Sequence, residues 1–185
     1  MNISMSKTRE QFPLSVKKVL KKTVASTLVI SILLFIVWVV LVVVVGANEG
    51  ENFGIISLVT LGILGFIVIL VATVYFYQKW YYSVYFYDLT DDFIIIKKGP
   101  ITPREITIPY ERVQDVYVDQ DLLDRIFGIY DVHLSSATIS SGAEAHIDGV
   151  EKKAAEGLRG VLLQTVQQKI SRTKQNINNN STNQQ

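Results

Sequence analysis

Two long apolar runs dominate the pattern of hydrophobic and polar positions, residues 24–45 and 55–77, and neither contains Asp, Glu, Lys, Arg or His. A helix needs about 20 apolar residues to cross the hydrocarbon core of a bilayer, and the runs hold 22 and 23 residues. Their length and lack of charge favour membrane spans over buried core helices or strands. The pattern predicts a two-helix transmembrane hairpin, with spans at 24–45 and 55–77 and a loop at 46–54.

After the second run, apolar and polar positions alternate in short segments, which is typical of β-strands. The segments are separated by turn signals at residues 88–92 and at Gly99-Pro100, and residues 122–128 have the pattern of a short helical turn. The candidate strands cover residues 80–87, 93–98, 104–109, 115–120, 129–136 and 143–147.

The period changes near residue 148. Asp148 and Glu151 have the spacing of a capping box, and the apolar residues that follow recur at helical intervals: Ala154, Leu158, Val161, Leu162 and Val166. The pattern predicts a mainly-β domain over residues 78–170 that is closed by one amphipathic C-terminal helix.

The two ends of the chain differ from this domain in composition. Residues 1–23 form a basic arm with six Lys or Arg and one Glu. Residues 171–185 contain eight Asn or Gln and one strong hydrophobe, which is too little apolar surface to offset the entropy cost of ordering. We expect this tail to be disordered.

The distribution of charge predicts the orientation. The arm before the first run carries a net charge of +5, the loop at 46–54 carries −2, and the chain from Gln78 onward carries −2. Under the positive-inside rule, both termini are cytoplasmic and the loop is external, in the plasma membrane. The alternative is a cleaved signal peptide, but the first apolar run is longer than a usual signal core.

Several residues near the ends of the spans suit the interface between lipid and water. Lysines there can attract anionic headgroups, and Tyr and Trp form interfacial belts. The alternative for the lysines is that they only fix the topology. The expected anchors are Lys17, Lys18, Lys21, Lys22, Tyr75, Tyr77, Trp80 and Tyr81.

Signals of catalysis or of metal binding are weak. The chain has no cysteine, which excludes disulfides and cysteine nucleophiles. His133 and His146 lack a ligand spacing, and Asp119, Asp121 and Asp124 lack the order of a calcium loop and are better explained as turn and helix-start carboxylates. Phosphate-binding glycine loops are missing, and the near-neutral net charge of +1 argues against a nucleic-acid binder. We therefore expect no enzyme, no cofactor and no metal.

Residues after the second run resemble a known family. The similarity is to the membrane-flanked bacterial pleckstrin-homology-like (PH-like) domains called YdbS-like or YdbT-like. It is carried by Tyr87, Leu89, Thr90 and Asp91, then IIIKKG, then IPYERVQDV, then Gln120, Leu122, Leu123, Arg125, Phe127 and Gly128. The resemblance implies a strongly bent antiparallel sheet, or partly open barrel, of about seven strands with a C-terminal helix at one end. Asp121 and Asp124 stand where members commonly have glycine.

These features favour a non-catalytic, membrane-anchored module that interacts with a protein partner or with a second copy of itself. A bent sheet with an open edge can add a partner's extended segment as a further strand. One alternative is a sensor of anionic lipid; another is an accessory subunit of a transporter or enzyme. The candidate contacts for lipid or partner are Lys97, Lys98, Arg104 and Arg112.

Overall fold

The computed structural model describes residues 6–46, 53–136 and 145–182. The chain divides into two compact units, one formed by Met1–Lys18 together with Ser83–Gln185 and the other by Val19–Tyr82. We call the first unit the mixed unit and the second the helical unit.

The described residues form five helices and six strands. The helices are α1 (Lys7–Gln11), α2 (Lys17–Gly46), α3 (Phe53–Val84), α4 (Leu122–Phe127) and α5 (Lys152–Thr182). The strands are β1 (Phe86–Leu89), β2 (Phe93–Lys98), β3 (Arg104–Pro109), β4 (Val113–Asp119), β5 (Tyr130–Ser136) and β6 (Ala145–Val150). A 3-10 turn, Tyr110–Arg112, connects β3 to β4.

Both apolar runs lie in helices that are long and apolar enough to cross a membrane. Within the helical unit, the indole N–H of Trp38 donates a hydrogen bond to Thr60 Oγ1 at 2.9 Å. Trp38 is eight residues before the end of α2, and Thr60 is seven residues after the beginning of α3. The predicted loop at 46–54 falls mostly outside the described residues.

The predicted strand over residues 80–87 is wrong for residues 80–85, because α3 continues to Val84 and β1 begins only at Phe86. Aromatic and β-branched residues favour strands, but no Gly or Pro interrupts residues 78–84. Each residue added to an existing helix gains a hydrogen bond at a small entropy cost, so the helix persists beyond the apolar run.

The strands form two antiparallel sheets, with the orders β1-β2-β3 and β4-β5-β6. The predicted hairpin through residues 88–92 is confirmed, since Leu89 pairs with Ile94 across the turn. The described residues contain six strands, whereas the resemblance implies about seven. The predicted strand at 143–147 overlaps β6, but residues 143 and 144 lie outside the described residues.

The core of the mixed unit lies between the inner faces of the strands and helix α5. As predicted, α5 is amphipathic and packs against this core. The largest fully buried aliphatic side chains of this core belong to Ile94, Ile96, Val116, Ile129, Val132, Leu134, Ile147, Leu158 and Leu162.

Helix α5 continues to Thr182 and so includes residues 171–182, for which composition predicts disorder. A helix requires an unfavourable nucleation step only once, and here the part that packs on the core provides it. Each further residue then adds one backbone hydrogen bond, so the helix can extend beyond the packed part. The amino-acid composition of residues 171–185 does not show that this segment continues a packed helix.

The predictions for acidic residues near the beginnings of α4 and α5 have different outcomes: one is confirmed and one is wrong. Asp121 is the N-cap of α4 and forms a reciprocal capping box with Asp124, as expected for helix-start carboxylates. Asp148 does not cap α5, because it lies within β6 and its carboxylate contacts other side chains. The sequence spacing is correct for a cap, but the strand continues past it.

Candidate functional site

Residues 6–18, called here the N-terminal segment, pack against the strands of the mixed unit. At one end, the hydroxyls of Ser6 and Thr8 donate to Asp88 Oδ1 at 2.7 and 2.8 Å. The backbone N–H of Leu89 donates to Thr8 Oγ1 at 3.1 Å. The segment therefore lies along the outer edge of β1.

At its other end the N-terminal segment reaches the outer edge of β6. Leu14 forms an antiparallel bridge with Val150, and the N–H of Ser15 donates to the carbonyl of Gly149 at 2.8 Å. Residues that the sequence assigns to a basic arm over 1–23 thus cover two edges of the sheets. Hydrophobic pattern alone does not reveal this, because each contact joins positions far apart in the chain.

Lys18 ends the N-terminal segment and is buried rather than exposed to a headgroup region. Its ammonium lies 3.5 Å from Asp148 Oδ2 and 3.8 Å from the centroid of the Tyr85 ring. A paired carboxylate and an aromatic face are the surroundings that allow a cation to be buried. Lys18, expected as an interface anchor, instead joins the N-terminal segment to β6.

The Asp88 carboxyl is held in its charged form. Burial alone would raise its pKa, but hydrogen bonds from the Ser6 and Thr8 hydroxyls and from the backbone N–H groups of Thr8 and Leu89 outweigh burial, so the pKa lies below its usual value. The charge of Asp88 thereby stabilises the docked N-terminal segment.

The Tyr110 hydroxyl is held in its neutral form. Burial, and after it the negative charges of Asp88, Asp91 and Asp92, raise the pKa of Tyr110 to about 12. Its hydroxyl donates to the carbonyl of Thr90 at 3.0 Å, which fixes the turn between β1 and β2 against the 3-10 turn.

The two histidines are brought together by strand pairing. His133 on β5 pairs with His146 on β6, and their ring centroids are 5.5 Å apart. On the other side, His133 pairs with Tyr117 and their rings stack at 4.9 Å. Val132 and Leu134, which flank His133 in β5, are buried in the core. Side chains alternate between the two faces of a strand, so this row of rings lies on the outer face of the sheet. The three rings are adjacent because of the strand register, which the sequence alone does not indicate.

Carboxylates flank the row of rings. Asp119 Oδ1 lies 3.1 Å from His133 Nε2, and Asp148 Oδ1 lies 2.8 Å from His146 Nε2. Each histidine thus has its own carboxylate partner. Across residues 6–46, 53–136 and 145–182, no group of three or more His, Cys, Asp or Glu is arranged to hold a metal ion.

The basic residues expected to contact lipid or partner do not form one group. Lys97, Lys98 and Arg104 lie at the turn between β2 and β3, where Lys98 pairs with Arg104 and Lys97 Nζ is 3.1 Å from Glu105 Oε2. Arg112 lies beyond the other end of β3, and the strand alone spans about 17 Å.

The other expected anchors lie on the long helices. Lys17 is exposed, Lys21 is buried and Lys22 is half-buried at the beginning of α2. Tyr75, Tyr77, Trp80 and Tyr81 fall within the last third of α3, where Tyr77 and Trp80 are exposed.

A groove of about 420 Å³ lies between Val118 of β4, Tyr130 of β5 and one face of α5. Strand β4 stands at the edge of its sheet, and Val118 reaches the groove from it. Helix α5 contributes residues at a spacing of three to four, which places them on one face. The lining residues are Val118, Tyr130, Lys152, Ala155, Glu156, Arg159, Gly160 and Leu163.

Comparison with protein families gives one match. The family described as "Bacterial PH domain" matches residues 14–166. The match begins at the residue that bridges to Val150 and includes both long apolar helices. No curated protein and no solved structure matches the chain significantly.

Proposed function

We propose that this chain, which belongs to the bacterial PH domain family, is a non-catalytic membrane-anchored module for protein interaction or assembly at the cytoplasmic face of the plasma membrane. PH-like domains are generally interaction modules rather than enzymes. The finer placement among the YdbS-like or YdbT-like members is part of the proposal, and it rests on the motif between Tyr87 and Gly128.

The observation that carries the proposal is that the mixed unit is formed by two segments far apart in the sequence, one on each side of the helical unit. Residues 6–18, which end in the first turn of α2, and residues from Ser83 onward, which begin in the last turn of α3, form one compact unit. Lys18 contacts Tyr85 directly, so the chain leaves this unit and returns to it at neighbouring points. A hairpin of two spans returns a chain to the same side of a membrane, as this requires.

The surface of the helical unit supports a lipid environment. Phe35 in α2 is 61% exposed and Leu58 in α3 is 74% exposed, among many large apolar side chains on both helices. Contiguous apolar surface of this extent is rare on proteins that face only water. The basic residues before and within the first two turns of α2 support a cytoplasmic location for the mixed unit.

The proposal is tested by chemical crosslinking of the tagged full-length protein in native membranes, followed by purification. We expect reproducible crosslinked species heavier than the monomer. The control is Ile147→Asp, which places a charge at a fully buried position of β6 and leaves the spans unchanged; it should lose these species. A wild-type protein that is always monomeric, or species that persist in the control, would contradict the proposal.

A second candidate function, recognition of anionic lipid, is favoured by the position of one turn. Lys97 pairs with Phe86, the first residue of β1, so the basic turn between β2 and β3 lies where the chain enters the domain from α3. Such residues would stand near the headgroups if α3 spans the membrane.

This candidate is tested by native mass spectrometry of the purified full-length protein. We expect the triple variant Lys97→Glu, Lys98→Glu and Arg104→Glu to retain fewer anionic lipids than wild type. Arg112→Glu, at the far end of β3, is the matched control. Equal lipid retention by the triple variant and wild type would exclude lipid recognition at this turn.

A further inference from the structure

The turn between β2 and β3 carries an uncharged, mostly apolar tip. Residues 99–103 are Gly-Pro-Ile-Thr-Pro, without a charged side chain. Ile101 in this tip is 68% exposed. A side chain so exposed to water contributes little to the hydrophobic stabilisation of the fold, so the tip is available for contact with another apolar phase.

The backbone of the turn holds Ile101 in a defined position. Gly99 has a φ of +99°, and a Cβ on it would clash with the carbonyl oxygen of Thr102, so the turn requires glycine here. Pro100 and Pro103 each fix one further φ angle. Little conformational entropy therefore remains to be lost when the tip binds.

Charged residues flank the tip on both sides, and bases outnumber acids. Lys97 Nζ lies 3.1 Å from Glu105 Oε2, which is the acidic residue of this group, so the flanks retain a net charge of +2. An apolar surface with flanking bases is typical of segments that lie at the boundary between headgroups and acyl chains. The flanking residues are Lys97, Lys98, Arg104 and Glu105.

The tip lies at the end of β1 where the chain arrives from α3. Lys97 pairs with Phe86, the first residue of β1, and the next pair, Lys98 with Arg104, lies one residue beyond it. The tip follows that pair and so projects past the beginning of β1. The last turn of α3, which ends at Val84, precedes the same end of the strand and belongs to the same unit.

The turn at the other end of β2 has a different character. Residues 90–92 are Thr-Asp-Asp, with no apolar and no basic side chain, and Asp92 is paired with Lys169 of α5 at 2.6 Å. The 3-10 turn at that end adds one charge of each sign, Glu111 and Arg112. Of the two turns in this sheet, only the one beside α3 combines an exposed apolar side chain with a surplus of bases.

We propose that the turn between β2 and β3 inserts Ile101 into the boundary between headgroups and acyl chains of the cytoplasmic leaflet, with its flanking bases among anionic headgroups. The tip enters this boundary by about 5–10 Å, as interfacial apolar surfaces do. The inference rests on the proposed membrane anchoring. It deepens the second candidate function, because it places an apolar side chain in the lipid in addition to charges at the headgroups.

The test uses full-length protein in nanodiscs of phosphatidylcholine and phosphatidylglycerol, with a nitroxide quencher at the headgroup, in the upper acyl chain or at the chain end. The chain has no native cysteine, so a fluorophore on Thr102→Cys reports on the tip and keeps Ile101. We expect the upper-chain nitroxide to quench about half of its emission or more. Phe93→Cys, at the other end of β2, should not be quenched, and Val68→Cys in α3 should be quenched by the chain-end nitroxide.

Two substitutions at Ile101 provide the matched control in the Thr102→Cys protein. Ile101→Asp should abolish quenching by the upper-chain nitroxide, whereas Ile101→Leu should retain it. Because the side chain is exposed, neither substitution should change the thermal midpoint.

The inference is overturned if the Thr102→Cys label is unquenched or is quenched only from the headgroup, or if Ile101→Asp and Ile101→Leu behave alike. Quenching only from the headgroup would keep lipid recognition by the bases and remove insertion of the tip. An unquenched Thr102→Cys label beside a quenched Val68→Cys label would leave the membrane anchor intact. An unquenched Val68→Cys label would contradict the membrane anchor itself.

Discussion

Asp88 shows how one side chain secures a distant part of the chain. Its carboxylate accepts two hydroxyl hydrogen bonds from residues 80 and 82 positions earlier in the sequence. In the sequence, Asp88 is only the first residue of a turn, and nothing local indicates these partners. The helix-start role of Asp121 was predictable because its capping partner is three residues away.

Replacement of Asp88 by alanine should weaken docking of the N-terminal segment. Loss of charge-assisted hydrogen bonds, with the Ser6 and Thr8 hydroxyls left without this acceptor, costs about 1–3 kcal/mol. We expect a lower thermal midpoint for Asp88→Ala than for wild type at pH 7 in detergent. Asp91→Ala is the control, since Asp91 is exposed on the same turn.

The effect of Asp88 should depend on acidity in a defined direction. Because its pKa is lowered in the folded protein, its contribution is complete above the unfolded-state pKa of about 3.9 and disappears as pH falls through the folded-state value. The gap between wild type and Asp88→Ala should therefore narrow at pH 3. A gap that is equal at both pH values would contradict this assignment.

Tyr110 should produce the opposite dependence at alkaline pH. Its pKa rises to about 12 in the folded protein, so its neutral form is favoured and stability is lost as pH rises from about 10 to about 12. Thermal midpoints between pH 9 and pH 12 should fall less for Tyr110→Phe than for wild type. Parallel curves for the two proteins would exclude this role.

At the scale of elements, local signals were sufficient for the long helices, the first hairpin and the cap of α4. They were insufficient where long-range contacts decide the outcome. The end of α3 at Val84 and the inclusion of Asp148 in β6 both depend on how far an established element continues. The pairing of His133 with His146 and the bridge from Leu14 to Val150 depend on register, which a single sequence does not encode locally.

The two interior glycines of α5 should respond differently to the same substitution. A Cβ at Gly157 would lie 2.5 Å from Cε1 of Phe12 in the N-terminal segment, whereas a Cβ at Gly160 would contact nothing. Both alanine variants gain helix propensity of about 1 kcal/mol, but overpacking at Gly157 costs about 1–3 kcal/mol.

We therefore expect Gly160→Ala to raise the thermal midpoint of the full-length protein above that of wild type, and Gly157→Ala to lie clearly below Gly160→Ala. Limited proteolysis of the N-terminal segment should be faster in Gly157→Ala. Equal midpoints and equal proteolysis in the two variants would mean that Phe12 is not packed against α5.

At the scale of the whole molecule, the two ends of the helical unit are tied to one mixed unit. The near-neutral net charge of +1 is the sum of a basic N-terminal arm, two uncharged apolar runs, an acidic loop between them and an acidic remainder. The proposed topology rests on the distribution of charge. The docking of residues 6–18 on the mixed unit is a second argument for it, because the segments before and after the helical unit belong to one compact unit.

The most direct test of a membrane-anchored module with both ends cytoplasmic is labelling of single cysteines with a membrane-impermeant maleimide. The chain has no native cysteine, so each substitution reports alone. The layers outside the plasma membrane are first made permeable while the plasma membrane is left intact. Under these conditions Asn48→Cys should be labelled, whereas Lys7→Cys and Arg104→Cys should be labelled only after the plasma membrane is permeabilised. Labelling of Lys7→Cys or Arg104→Cys before that step, or protection of Asn48→Cys, would contradict the account.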